Sequence, residues 1–123
     1  MNDQELQDLC REWQQRLRLE DWDVSARFAR MTDKVEGFAD ISASSSNRVA
    51  RILLRNSDDI PSNWLGVTDL EVTLVHELLH LPASGFDSGF KQKEDSPEHI
   101  ALELFIERCA QALVAAKRGR MRF

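Results

Sequence analysis

The chain has 123 residues, 42% of them hydrophobic and 30% charged, with a formal net charge of −5 at pH 7. That length accommodates one domain, residues 1–123, with a modest core, and excludes a second of ordinary size. The acidic balance argues against electrostatic binding of nucleic acid, and no apolar run approaches the ~20 residues of a membrane span.

Residues 3–19 repeat apolar side chains at three- and four-residue spacing (Leu6, Leu9, Cys10, Trp13, Leu17), which predicts an amphipathic helix broken by Asp21. Residues 22–30 then alternate apolar and polar as a half-buried strand does, and Thr32-Asp33-Lys34 reads as a turn. A second strand is expected over Gly37–Ala43 and a third over Arg48–Arg55, with Ala50, Ile52 and Leu54 on one face. The polar Ser44–Asn47 loop between them predicts an antiparallel hairpin. Asn56–Pro61 reads as loop, Asp58 and Asp59 included.

Thr68-Asp69-Leu70-Glu71 has the form of a capping box. It opens a helix expected to stop at Pro82. Residues 83–97 lack periodicity and read as a long connection of the kind that rims an active site. Pro97 opens a last helix to about Lys117. The basic run after it, Lys117–Arg122, reads as a solvated tail complementing the helix dipole. The two cysteines, Cys10 and Cys109, lack a CxxC partner and read as reduced, buried thiols. Trp13, Trp22 and Trp64 read as core anchors. Met1–Glu5 is polar and acidic, unlike a signal peptide, so a cytoplasmic location is expected.

The chemistry concentrates in His76-Glu77-Leu78-Leu79-His80, which takes two of the chain's 3 histidines. Residues four apart share a helix face, so His76 and His80 can grip one Zn²⁺ per chain. Glu77 is then placed as general base on a metal-bound water. A catalytic zinc takes three protein ligands, and the last helix offers His99, Glu103 and Glu107. On a helical wheel Glu103 lies amid Leu102, Ile106, Ala110, Leu113 and Val114, with Glu107 and His99 about 40° to either side. Carboxylates on an apolar face are costly without a partner, and a metal would supply one. Glu103 is the first choice for third ligand, with Glu107 holding a ligand imidazole N–H. His99 is the rival ligand and Glu107 a third option. The chain contains no Tyr, so an oxyanion donor would have to be His99, Arg51 or Arg55.

These residues resemble the zincin metallopeptidases of the gluzincin branch, in which a Glu-bearing helix follows HExxH. Glu103-Leu104-Phe105-Ile106-Glu107 resembles that branch's ExxxD, with Glu in the Asp position. The order of elements resembles small metallopeptidases of phage and prophage genomes. The resemblance implies an α+β, minimal zincin-like fold: a small three-stranded, mainly antiparallel sheet packed on the HExxH helix, with helices at both ends. It implies a peptide or protein substrate, aligned by strand addition along the hairpin, Arg48–Arg55 included. The competing expectation is a zinc-stabilised, non-catalytic protein-binding module of the same origin, favoured by small size and the missing Tyr.

Overall fold

Helix α1 (Asp3–Arg16) starts where the sequence supplies a reciprocal cap: Asn2 Oδ1 accepts from Glu5 N at 2.8 Å, and Asn2 N donates to Glu5 Oε1 at 3.0 Å. In this computed structural model residues 1–35, 37–56, 69–90 and 96–119 are described, the side chains of 85–90 excepted. Leu6, Cys10 and Trp13 form the buried stripe of α1. The helix ends three residues short of the expected 19, because Arg18 turns into the left-handed region at φ 59°. Leu19 and Trp22 instead direct their carbonyls at the amide of the buried Gln14.

Strands β1 (Asp23–Phe28), β2 (Ala39–Ser44) and β3 (Val49–Leu54) form one sheet in the order β1-β3-β2. β2 and β3 make the expected antiparallel hairpin, in register Ile41↔Ile52. Its turn places Arg48, not Asn47, at positive φ (53°), and Arg48 pairs with Asp21. β1 lies parallel to β3, in register Ala26↔Ile52, so the sheet is mixed. The resulting class is α+β, with three helices and a three-stranded mixed sheet among the described residues.

The central place of β3 corrects one expectation. Both of its sides are paired, so Val49–Leu54 has no ladder groups left for a substrate strand. The edges fall to β1 and β2. On β1 the outward-pointing backbone groups are taken by side chains of α1. Gln7 accepts from Ala26 N at 2.8 Å and donates to Val24 O at 3.0 Å, while Asp3 accepts from Phe28 N at 2.9 Å. A primary amide reproduces both halves of a strand's hydrogen bonding, so α1 closes this edge as another strand would. β2 has no strand beyond it among the described residues.

Helix α2 (Leu70–Phe90) lies against β2, β3 and α1 and buries Leu74, Val75 and Leu78. Two sequence expectations change here. Asp69 caps the helix: its Oδ1 accepts from Glu71 N at 3.0 Å and Val72 N at 3.2 Å. Thr68, expected to do this, lies outside the described residues, as do Trp64 and the Asp58-Asp59 pair. Pro82 sits inside the helix instead of ending it. A proline removes one donor, here to the carbonyl of Leu78, and the remaining ladder carries the helix through. Much of the expected 83–97 connection is therefore helical; residues 91–95 lie outside the described set.

Helix α3 (Pro97–Arg118) begins at Ser96, whose Oγ accepts from His99 N, with Pro97 following as predicted. It ends at Gly119 in the left-handed conformation, φ 69°, where a side chain would be strained. It packs on α2 and on no strand among the described residues. Ile106, Ala110 and Val114 are buried, while Leu113 sits half-exposed at the rim of the arc.

The basic end of α3 is not a free tail. Arg118 forks onto both oxygens of Asp69, at 2.7 and 3.0 Å. Lys117 pairs with Glu71 and, at 2.9 Å, with Glu12, over the ring of Trp13. Trp13 Nε1 also donates to Glu71, at 2.6 Å. The last turn of α3 is thereby fastened to the first turn of α2 and to α1. No described helix is long and apolar enough to cross a membrane.

Candidate metal centre

α2 and α3 run antiparallel, and their contact brings the polar face of one onto the carboxylates of the other. On α2, Leu74, Val75 and Leu78 are held in the core. The positions between and beyond them, His76 and His80, are one turn apart on the face turned to α3, their ring centroids 5.3 Å apart. Glu103 stands between them. Its Oε2 lies 2.9 Å from His76 Nε2 and its Oε1 2.9 Å from His80 Nε2. One ligand atom from each of His76, His80 and Glu103 can be chosen so that all lie within 4.8 Å of one another.

This set fits a divalent metal on chemical grounds. Two imidazoles and a carboxylate are a catalytic zinc donor set. Tetrahedral bonds of about 2.0–2.1 Å would set the ligand atoms about 3.3 Å apart, inside the 4.8 Å that bounds the three ligand atoms here. Both histidines turn Nε2 to the common point. His76 has its other nitrogen, Nδ1, 2.9 Å from Glu107 Oε1, and Glu107 Oε2 accepts from Gln111 Nε2 at 2.8 Å. Glu107 thus stands where an outer carboxylate fixes the tautomer and tilt of a metal-binding histidine. His99, in the first turn of α3, is not brought into the group.

The charges are strongly coupled. Burial alone would lower the pKa of His76, yet its hydrogen bonds to Glu103 and Glu107 outweigh that and raise the value to about 9. His80 is also raised: burial opposes the shift and the Glu103 hydrogen bond overcomes it. Glu103 is pulled well below the usual carboxylate range by its hydrogen bonds to His76 and His80. Glu77 moves the other way, raised chiefly by burial despite the neighbouring histidines. A carboxylate with a raised pKa beside a candidate metal position is suited to exchanging protons.

An open cavity of about 560 Å³ reaches this group, lined by Phe38 and Ala39 from the hairpin, Val72, Thr73, His76 and Glu77 from α2, and Glu103, Leu104, Glu107 and Gln111 from α3. Neither arginine proposed as oxyanion donor lines it. Arg55 is committed to the carbonyls of Gly37 and Val35, and Arg51 is exposed on the central strand. Gln111 carried no role in the sequence reading, and Asp69 only a place within the capping box. The i, i+4, i+8 run Glu103–Glu107–Gln111 was available as a signal for the first. No known protein family, curated protein or solved structure matches the chain.

Proposed function

We propose that this chain is a zinc-dependent peptidase with a minimal zincin-like fold, in which His76, His80 and Glu103 hold the metal and Glu77 is the general base. The observation that carries this reading is the convergence of those three donors within 4.8 Å of one another, beside a cavity lined by His76, Glu103 and Glu77. Zinc, when bound, would lower the pKa of a water toward ~7 and polarise the substrate carbonyl. Glu77 would take the proton from the attacking water and deliver it to the leaving amine. Its raised pKa, with burial as the main cause, favours that return step. Glu107 would hold His76 in the tautomer that leaves Nε2 free to ligate.

The substrate strand would lie on β2 and not on β3. Phe38 O accepts from Arg55 N at 2.8 Å, and antiparallel pairing alternates hydrogen-bonded and non-bonded pairs. In the register Ala39↔Leu54, the amides and carbonyls of Ala39, Ile41 and Ala43 therefore point away from β3. Ala39 also lines the cavity, so a peptide paired to this edge would pass the metal group.

The test is metal content by elemental analysis together with a peptide-cleavage screen. One zinc per chain, cleavage by the wild type, and a Glu77→Gln variant that keeps zinc and loses turnover are the expected results. Undiminished cleavage by Glu77→Gln would rule the mechanism out.

One observation favours a second reading, a zinc-stabilised binding module without catalysis. Among the described residues of the cavity, no Tyr, Arg or Lys is placed to steady an oxyanion. On that reading chelation lowers the melting temperature while no peptide in the screen is cut.

A further inference from the structure

We propose that Gln111 is a positioning residue for the metal group, acting through Glu107; this rests on the metal-site reading above. A carboxylate's terminal torsion is broad and nearly two-fold, so one hydrogen bond leaves Glu107 free to swing between oxygens. In the structure each oxygen has its own partner. Oε1 faces His76 Nδ1 at 2.9 Å, and Oε2 accepts from Gln111 Nε2 at 2.8 Å. With Oε2 pinned, Oε1 stays on the imidazole, and the imidazole keeps Nε2 on the ligand side, 2.9 Å from Glu103.

The residue type suits the task. A lysine at 111 would neutralise Glu107 and weaken its pull on His76. A glutamate would offer no donor. The glutamine amide donates without changing the charge. Position also suits it. Because α2 and α3 are antiparallel, each turn of α3 meets an earlier turn of α2: Glu103 meets His80 and His76, Glu107 meets His76, and Arg118 meets Asp69. Gln111 falls between these last two in the sequence of α3 and lines the cavity.

The experiment measures zinc affinity by competition with a chromophoric chelator, on the full chain, for wild type, Gln111→Met, Glu107→Ala and the double variant. Methionine keeps the length and helix preference of glutamine and removes the donor. Outer partners of metal ligands are worth about 10–100-fold in affinity. A residue one bond further out is expected to cost about three- to tenfold. The metal-free melting temperature should not change, and Gln111→Met should add nothing in the Glu107→Ala background. Wild-type affinity in Gln111→Met, or an equal loss with Glu107 already absent, would overturn the assignment. Should the methionine variant fold poorly, Gln111→Ala is read in the same way. A wild type that takes up no zinc would overturn the metal-site reading itself, and this inference with it.

Discussion

His76 Nδ1 and Glu107 Oε1 lie 2.9 Å apart, which fixes the ring of the first motif histidine from the side away from Glu103. Glu103 reaches both histidines, Oε2 at His76 Nε2 and Oε1 at His80 Nε2, each at 2.9 Å, so substitutions should separate the ligands from the outer carboxylate.

Removing His76, His80 or Glu103 singly, each as the alanine variant, is expected to abolish stoichiometric zinc. Glu107→Ala should retain zinc with affinity reduced about 10–100-fold, and His99→Ala should be indistinguishable from wild type. Elemental analysis after dialysis, followed by chelator competition, separates these outcomes. Loss of zinc in His99→Ala alone would reassign the third ligand.

Zinc uptake should release protons. In the metal-free protein His76 is held protonated up to about 9 by Glu103 and Glu107, and a histidine must be neutral to ligate. Near pH 7 about one proton per zinc is expected from His76 alone. Titration calorimetry in buffers of different ionisation enthalpy measures it, and the contribution should fade above about pH 9. The same shift bears on stability without metal. A raised folded value stabilises fully below the unfolded value of about 6.5 and is lost as pH rises through the folded one. Metal-free protein should therefore weaken on the alkaline side.

The clamp at the helix ends gives the opposite sign. Asp69 is lowered chiefly by the Arg118 hydrogen bond. Glu71 is opposed by burial but lowered overall by Lys117, Trp13 and Arg118. Lowered carboxylates stabilise above their unfolded values, about 3.9 and 4.3, and lose that contribution as pH falls through the folded ones. Arg118→Ala should cost about 1–2 kcal/mol at neutral pH and flatten the acid limb of a denaturation-versus-pH profile. An unchanged acid limb would mean that the fork contributes nothing to linkage.

The thiols should react unequally. Cys10 is fully buried, and burial pushes its pKa up to about 11, whereas Cys109 is partly exposed between α2 and α3. A thiol reagent at neutral pH is expected to label Cys109 in the native chain and Cys10 only on unfolding. Mass spectrometry of the labelled peptides identifies the order.

The parts of this molecule legible in the sequence were those with short-range causes. Pro97 announced α3, the alternation of residues 22–30 announced β1, and the spacing of His76 and His80 announced a shared face with Glu103 opposite. What escaped notice depended on long-range partners. Nothing local to residues 23–28 says that they pair in parallel with a strand more than twenty residues away. Pro82 signals a stop by its own chemistry, and only the packing of α2 on the sheet and α3 overrides it. Lys117 and Arg118 look like a solvated tail until Glu12, Glu71 and Asp69 are brought beside them by the fold. Gln7, outside the apolar stripe of α1, carries two of the hydrogen bonds that close β1.

That closure can be tested directly. Gln7→Leu leaves Ala26 N and Val24 O without their partner, and thermal unfolding should show a loss of about 1–3 kcal/mol. It also decides how the protein can associate. Sheet-to-sheet growth into fibres requires two open edges on every copy, and α1 occupies one of them. Two copies meeting through β2 would use up the one edge left open among the described residues. With the β1 edge closed by Gln7 and Asp3, strand pairing between copies is expected to stop at a dimer, and Gln7→Leu should be the variant that forms longer assemblies.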